Sequence, residues 1–283
     1  MKHCICALAL IASLGVPDGF QATVTGHGRA MILIPGLSSS GETWDGAVDH
    51  FKDRFECHVL TVAGFAGVPR VPAPMLERVV DDLAAYVRDK RLARPVIVGH
   101  SLGGFLALRF AIKYPDLPGA IVDVDGYADY LRLTGQPSSP EQAKATAELI
   151  RQNMGHMTPD AYDAYVKSGA ATRMMVSRDK DLERLVKWGL ASDRTAVADA
   201  LAEMFEMDLR PDLAKIKAPT LVLAAWQSYA QFTDHDRHLK TLHEQFDAIP
   251  GVQLEINDTA RHFIMWDDPQ WMFTRMERFL DGR

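Results

Sequence analysis

Cysteine is scarce in this chain of 283 residues, and its scarcity limits how the fold is stabilised. There are three cysteines, Cys4 and Cys6 near the N-terminus and Cys57 alone further on. If the N-terminal segment is removed, no intramolecular disulfide can form, and a hydrophobic core must stabilise the protein. We expect Cys57 to be a small buried apolar side chain rather than a nucleophile.

Positive charge is also limited. Lysine and arginine number 31 against 37 aspartates and glutamates, which gives a formal net charge of -6. Electrostatic binding to nucleic acid or to an anionic membrane surface needs a basic stripe, and the sequence has none. We therefore expect no nucleic-acid partner.

Spacings typical of metal ligands and of phosphate-binding loops are missing from the sequence. Residues 234–238, DHDRH, resemble a metal cluster in composition only, because no recognised zinc spacing follows and the neighbouring charges indicate a solvated helix. Residues 26–28, GHG, lack the rest of a nucleotide-binding pattern. We expect neither a metal nor a cofactor.

The longest apolar run lies at the N-terminus, where MKHCICALALIASLGV has a positive start. It is too short to span a bilayer comfortably and is typical of a secretory signal peptide, although a buried first strand or an uncleaved anchor is an alternative. We predict a signal peptide over residues 1–22, with cleavage near Ala22. This predicts export to the periplasm or the medium, without stable membrane insertion of the mature chain.

Six short apolar runs have the length and the Val, Ile and Leu content of parallel strands buried on both faces. Between these runs, apolar residues recur at helical spacing, as in Leu76, Val79, Leu83 and Val87. The alternation predicts an α/β fold with a mostly parallel sheet and crossover helices. The runs are AMILIPG (30–36), ECHVLTVAG (56–64), PVIVGHS (95–101), AIVDVDG (120–126), PTLVLAAW (219–226) and VQLEIND (252–258).

One interval breaks this alternation. From about residue 133 to 207 the chain has no strand-like run, only helical segments with proline or aspartate at their starts. We predict a helical cap inserted at 133–207, between core segments 23–132 and 208–283. Most of its methionines are expected to pack in the cap's own core rather than to line a pocket; they are Met154, Met157, Met174, Met175, Met204 and Met207.

The stretch GHSLG, residues 99–103, carries the strongest chemical signal. A predicted strand precedes it and a predicted helix, FLALRFAIKYP, follows. A serine at such a tight turn exposes its hydroxyl at the carboxyl end of the sheet, and flanking glycines let the backbone pass without Cβ clashes. Ser101 is therefore a candidate nucleophile.

With this motif, the chain resembles the α/β-hydrolase family over essentially its whole mature length. Residues 34–37, IPGL, look like the family's His-Gly loop with Pro35 in the histidine position. The resemblance implies that the backbone N–H groups of Leu37 and Leu102 form the oxyanion hole. Backbone donors do not depend on the side chain, so the proline is compatible with this role.

The resemblance also implies a catalytic base. His262 stands in ARHFIMWDDP, after the last predicted strand and before the final helix, where the family places its histidine. His100, inside the serine motif, is expected to pack near the strand ends rather than to act as the base.

The acid of the triad departs from the common pattern of the family, because Gln227, Ser228 and Tyr229 stand where a carboxylate is usual. A histidine needs only some carboxylate to orient it. Asp125, at the end of an earlier strand, is preferred, since a strand end holds a side chain more firmly than a long loop. Asp234 and Asp236 are the alternatives.

These residues predict an exported serine hydrolase that cleaves a small, partly apolar carboxylic ester through Ser101, His262 and Asp125. A carboxylate nucleophile, as dehalogenation and epoxide opening require in this fold, is absent at residue 101. Amide, peptide or lactone hydrolysis stays open. Because the usual acid is missing, a non-catalytic scaffold that binds an apolar ligand or a partner protein is the rival hypothesis.

Overall fold

Seven strands form one sheet in the computed structural model, which describes residues 19–133 and 139–281. Their order across the sheet is β1-β3-β2-β4-β5-β6-β7, and only β1, next to β3, runs antiparallel to its neighbour. The strands are β1 (Phe20–Gly26), β2 (Arg29–Ile34), β3 (Phe55–Val62), β4 (Val96–His100), β5 (Ala120–Val124), β6 (Thr220–Ala225) and β7 (Gln253–Asn257). The predicted α/β fold with a mostly parallel sheet is confirmed.

Ten α-helices and four 3-10 helices accompany the sheet in the described residues. The α-helices are α1 (Asp45–Phe51), α2 (Met75–Asp89), α3 (Leu102–Lys113), α4 (Pro140–Gly155), α5 (Pro159–Ser168), α6 (Asp179–Ala191), α7 (Arg194–Glu206), α8 (His235–Phe246), α9 (Ile264–Asp267) and α10 (Pro269–Leu280). The 3-10 helices are Gly41–Trp44, Tyr130–Arg132, Arg173–Met175 and Arg210–Lys215. No helix in residues 19–133 and 139–281 is long and apolar enough to cross a membrane.

The core lies on both faces of the sheet because successive residues of a strand point to opposite faces. In β2, Ile32 and Ile34 pack in a cluster with α2 and α3, whereas Met31 and Leu33 pack in a second cluster with α1 and α10. All of these side chains are fully buried. Burial on both faces explains why the central strands have continuous apolar sequences.

Cys57 lies in the second of these clusters, on β3. Its side chain is fully buried, and this burial raises the pKa of the thiol to about 11. The thiol is therefore protonated at neutral pH and serves as a packing group, because only the thiolate is a good nucleophile.

Strand β1 lies in the region where the sequence predicts signal cleavage. Phe20 is buried, and β1 pairs with β3 from Phe20 opposite Val62 to Gly26 opposite Glu56. Cleavage after Ala22 would remove the first three residues of this strand, whereas cleavage before Phe20 would keep it whole. Residues 1–18 lie outside the described residues, so the signal peptide stays a prediction.

Helices α4 to α7 follow β5 and precede β6, within the segment 133–207 predicted as a cap. The starts of α4, α5 and α7 follow from capping chemistry. Ser139 caps α4 in a capping box with Gln142, Thr158 accepts a hydrogen bond from the N–H of Ala161, and Asp193 accepts one from the N–H of Ala196. The four helices cover the carboxyl end of the sheet on the side of Ser101.

Candidate active site

Ser101 occupies a strained turn between β4 and α3. Its φ is 54° and its ψ is -118°, a conformation that costs a residue with a Cβ about 1–3 kcal/mol. The turn requires glycine on both sides: a Cβ at Gly99 would lie 2.0 Å from the carbonyl oxygen of Gly103, and a Cβ at Gly103 would lie 2.2 Å from that of Ile34. These close contacts hold the serine side chain at the carboxyl edge of the sheet, as the motif predicts.

His262 lies on the loop between β7 and α9, where it is held at three points. Its backbone N–H donates to Ser228 Oγ over 2.8 Å, and its carbonyl accepts a hydrogen bond from His100 Nε2 over 3.1 Å. Its ring Nδ1 lies 2.5 Å from Asp125 Oδ2. A carboxylate at Nδ1 keeps the proton on that nitrogen, which leaves the lone pair of Nε2 free to accept one.

Asp125 follows β5 directly, with a φ of 52°. Its side chain is fully buried, and both carboxylate oxygens are engaged: Oδ1 accepts from the N–H of Ala225 over 2.8 Å and Oδ2 contacts His262. Its own N–H donates to Leu223 O over 2.8 Å. The carboxylate therefore cannot rotate away from the imidazole without losing a hydrogen bond to the sheet.

The two alternative aspartates lie elsewhere. Asp234 caps helix α8, where its Oδ1 accepts from the N–H of Arg237 over 2.9 Å, and Asp236 is exposed on the first turn of the same helix. The structure brings Asp125, and neither of these, to His262. In the histidine pair near them, His235 contacts Asp258, whereas the buried His238 donates to Ala225 O.

Ser228 and Tyr229 stand where the family usually has its acid, and they support the pair of Asp125 and His262 instead. Ser228 Oγ accepts the His262 N–H, and the Tyr229 hydroxyl lies 3.5 Å from Asp125 Oδ2, at the limit of a hydrogen bond. Burial, followed by the charge of Asp125, raises the pKa of Tyr229 well above its usual value. Its phenol is therefore protonated, a state that suits a donor to the carboxylate.

The predicted oxyanion-hole residues flank Ser101. Leu102 is the first residue of α3, where backbone N–H groups have no partner within the helix. Leu37 follows Gly36, and a Cβ at Gly36 would lie 3.2 Å from Ser101 Cβ and 3.1 Å from His100 Nδ1. The loop of Leu37 therefore passes directly over the serine turn, and only a residue without a side chain fits comfortably at position 36.

His100 is fully buried behind His262, with 4.6 Å between the two ring centroids. Burial, reinforced by the nearby His262, lowers the pKa of His100 well below its usual value. A neutral ring whose Nε2–H is committed to the His262 carbonyl positions that loop. It lies where the sequence predicts a packing role and not that of the base.

Asp123, two residues before Asp125, is a second buried carboxyl group. Its Oδ1 accepts from the N–H of Gly126 over 2.8 Å, and its Oδ2 has no hydrogen-bond partner among the described residues. Burial, with a smaller contribution from the charge of Asp125, raises the pKa of Asp123 to about 8. The folded protein therefore keeps a proton here at neutral pH, whereas the unfolded chain releases it above a pH of about 4.

This raised pKa predicts that Asp123 makes folding less favourable as pH rises. Between pH 4 and 8 the native state binds the extra proton, so the free energy of unfolding falls with increasing pH. Relative to Asp123→Asn, which has no proton to lose, the wild-type melting temperature should fall by more than about 4 °C from pH 5 to 8. Thermal unfolding of both proteins across this range measures the difference. The curve of the exposed variant Asp53→Asn should parallel that of the wild type, and a parallel curve for Asp123→Asn would contradict the prediction.

A cavity of about 500 Å³ opens over Ser101 and His262. Each of the four helices α4 to α7 contributes apolar side chains to it, among them Met154, Val166, Leu185 and Leu201. Of the described residues that line it, none is Asp, Glu, Lys or Arg. The cavity therefore favours uncharged, apolar groups.

Four of the six methionines of the predicted cap line this cavity, which differs from the expectation that most would pack in the cap's core; they are Met154, Met174, Met175 and Met204. Flexible thioether side chains suit a wall that adapts to its ligand. Tyr130, Ser228 and Tyr229 are further residues at the site without an assigned role in the sequence. Ser228 and Tyr229 stand at the usual position of the family's acid and Tyr130 follows shortly after β5, but neither position predicts their contacts.

In the described residues no three His, Cys, Asp or Glu side chains form a group that could hold a metal ion. The polar groups at the cavity include Ser101, the imidazole of His262 and, behind it, the carboxylate of Asp125. A hydroxyl, a base and an orienting carboxylate in one place are the components of nucleophilic catalysis.

Comparison with known proteins identifies the family of the chain. The model of a family described as the alpha/beta hydrolase family matches residues 31–275. N-formylmaleamate deformylase of Pseudomonas putida is 25% identical over 260 residues, 90% of each chain. A pimeloyl-[acyl-carrier protein] methyl ester esterase of Nitrosomonas europaea is 22% identical over 206 residues, 70% of this chain and 77% of that protein.

Among solved structures, a thermophilic esterase from Thermogutta terrifontis superimposes with a TM-score of 0.72 at 21% identity, over 92% of both chains. At this identity the superposition shows the shared fold. The relatives are hydrolases, so the comparisons support hydrolase activity. Because the family model covers most of its length, the chain belongs to the alpha/beta hydrolase family.

Proposed function

We propose that the protein is an exported serine hydrolase that cleaves carboxylic esters with an apolar acyl group. Ser101 is the nucleophile, His262 the base and Asp125 the residue that orients it. The observation that carries the proposal is the 2.5 Å contact between His262 Nδ1 and Asp125 Oδ2 beside the cavity that Ser101 and His262 line. Without an orienting carboxylate, neither the tautomer of the His262 imidazole nor the orientation of its ring would be fixed.

In the first half of the reaction, Ser101 Oγ attacks the ester carbonyl while His262 Nε2 accepts the hydroxyl proton. The imidazolium that forms is stabilised by Asp125, and the negative charge on the carbonyl oxygen is bound by the N–H groups of Leu37 and Leu102. Removing one such donor typically costs about 100- to 1,000-fold in rate. The intermediate collapses when the bond to the alcohol breaks and His262 returns the proton to the leaving oxygen.

In the second half, water attacks the acyl group on Ser101 and His262 takes the water's proton. The bond between the acyl carbon and Oγ then breaks, its electron pair stays on Oγ, and His262 returns the proton to that oxygen. The products are a carboxylic acid and the free enzyme. His262 returns every proton that it accepts, and apart from the ester and water only groups of this chain take part.

The lining of the cavity supports the apolar part of the proposal. Burying each extra methylene contributes about 0.8 kcal/mol, and no charged residue of the described lining opposes it. We expect kcat/KM for p-nitrophenyl esters to rise at least about tenfold from acetate to hexanoate. Initial rates over the series test this expectation. The rates measured with Ser101→Ala give the uncatalysed hydrolysis in solution, which is subtracted. A preference for acetate would contradict it.

A second candidate is hydrolysis of an amide, and the match to N-formylmaleamate deformylase favours it. The same triad can expel an amine if His262 protonates the leaving nitrogen. A p-nitrophenyl ester and a p-nitroanilide with the same acyl group distinguish the two activities. If turnover of the anilide equals or exceeds that of the ester, the ester assignment fails and the amide assignment replaces it.

A further inference from the structure

Tyr130 lies against the base of the serine turn and has no role in the reaction above. It begins the 3-10 helix Tyr130–Arg132, and its ring packs on Phe105 at 6.1 Å between centroids. Phe105 belongs to the first turn of α3, where its N–H donates to Ser101 O over 3.1 Å. The helix that supports the nucleophile therefore supports this ring as well.

The backbone beside Tyr130 is also fixed. The N–H of Asp129 donates to Gln245 Oε1 over 2.8 Å, and Gln245 Nε2 donates back to Asp129 O over 2.9 Å. The Asp129 side chain caps the turn by accepting from the N–H of Leu131. With both its backbone and its ring held, the phenol has little freedom to point elsewhere.

The hydroxyl of Tyr130 is buried and has no hydrogen-bond partner among the described residues. A buried hydroxyl without a partner is unfavourable and uncommon, so its retention needs a reason. Only 8% of the residue is exposed, yet it lines the same cavity as Ser101. Burial raises the pKa of this phenol well above its usual value, and the nearby Ser101 side chain opposes that rise. The group is thus a protonated donor close to Ser101, although no hydrogen bond joins the two in this state.

We propose that the Tyr130 hydroxyl donates a hydrogen bond to Ser101 Oγ when the acyl-enzyme is broken down, and that this bond accelerates deacylation. The inference rests on the proposed acyl transfer at Ser101. Rotation of the Ser101 side chain from one staggered position to another moves Oγ within the cavity that both residues line, and the proposal requires the position in which Oγ meets the phenol. Tyr130 keeps its own proton throughout, since His262 supplies the proton that Oγ receives.

The effect differs between the two halves of the reaction because Oγ changes as an acceptor. In the free enzyme Oγ is a hydroxyl oxygen, already a good acceptor, so once the Ser101 side chain has rotated toward the phenol a bond from Tyr130 stabilises the starting state too. In the acyl-enzyme Oγ is the alkoxy oxygen of an ester and a poor acceptor. As the bond to the acyl carbon breaks, negative charge develops on Oγ and the hydrogen bond strengthens. Only an interaction that strengthens toward the transition state raises the rate.

The test is Tyr130→Phe, which removes one oxygen and keeps the ring. With p-nitrophenyl hexanoate, rapid-quench mass spectrometry of the intact protein measures formation and decay of the acyl-enzyme separately. We expect the deacylation rate constant to fall on the order of tenfold and the acylation rate constant to fall less than about threefold. The acyl adduct should accumulate to a larger fraction of the variant than of the wild type.

Tyr114→Phe is the matched control, because Tyr114 follows the last turn of α3, is not among the residues that line the cavity, and donates its hydroxyl proton to Asp81 Oδ1. It should leave the ratio of the two rate constants unchanged. Thermal unfolding of Tyr130→Phe should show a melting temperature equal to or above that of the wild type, since an unpaired buried hydroxyl is lost.

An unchanged ratio of rate constants in Tyr130→Phe, with a working wild-type enzyme, overturns the role of Tyr130 and leaves the proposed function intact. Equal losses in both steps also overturn it, because they indicate a general disturbance of the site. If the wild type forms no acyl-enzyme at all, the proposed function itself fails, and this inference fails with it.

Discussion

Fluorophosphonate labelling of the folded protein should add one adduct, on the peptide that contains residue 101, and Ser101→Ala should remove both the adduct and the turnover. This result is expected because such probes react only with a serine activated by a base, and Ser101 lines the same cavity as His262, whose Nδ1 contacts Asp125. Removal of the nucleophile of a serine hydrolase typically costs roughly 10⁶-fold in kcat. Mass spectrometry of the digested protein and initial rates on an ester measure the two effects.

The control for labelling is wild-type protein unfolded in denaturant, whose serines are no longer activated and should not react. An adduct on another serine would show that the nucleophile has been misassigned. No adduct on folded protein would favour the rival hypothesis of a non-catalytic scaffold that binds an apolar ligand or a partner.

Asp125→Asn is expected to lower kcat about 10⁴-fold with little change in KM, as the loss of the orienting carboxylate does in serine hydrolases. The amide oxygen can still accept the N–H of Ala225, so the variant should fold. If that oxygen stays on Ala225, the amide nitrogen faces His262 and donates to Nδ1. The imidazole proton then moves to Nε2, where it blocks acceptance of the Ser101 proton.

Asp234→Asn and Asp236→Asn are the matched controls for this substitution. Both residues are exposed on or beside α8, away from His262, and their variants should retain wild-type turnover. Full activity in Asp125→Asn, or a large loss in either control, would contradict the assignment of Asp125.

The sequence predicts best those site residues whose position is set by the backbone of their own segment. The turn of Ser101 requires a strand, two close glycines and a helix, and all of these are visible within about a dozen residues. Asp125 follows from the same logic, since a residue at the end of a central strand is held by the sheet. In the structure its N–H donates to Leu223 O on the neighbouring strand.

The sequence predicts poorly what depends on contacts between distant segments. Tyr130 packs near Ser101, and Ser228 accepts from His262 34 residues away, but neither partnership has a pattern in the chain. Strand β1 was missed because FQATVTG is exposed along most of its length and lies beside the N-terminal apolar run. The starts of α4, α5 and α7 could be predicted from capping residues. The helix faces that line the cavity depend on tertiary packing.

The uncharged lining of the cavity has a consequence for turnover in the proposed reaction. The substrate enters as a neutral ester, and one product is an acid that ionises at neutral pH. Because the described lining offers no lysine or arginine to pair with a carboxylate, the anion is poorly solvated there. The reaction thus converts a neutral ester, which binds favourably in the cavity, into an anion, which binds unfavourably. This difference in binding favours release of the product. Weak competitive inhibition by the free acid would be its measurable sign.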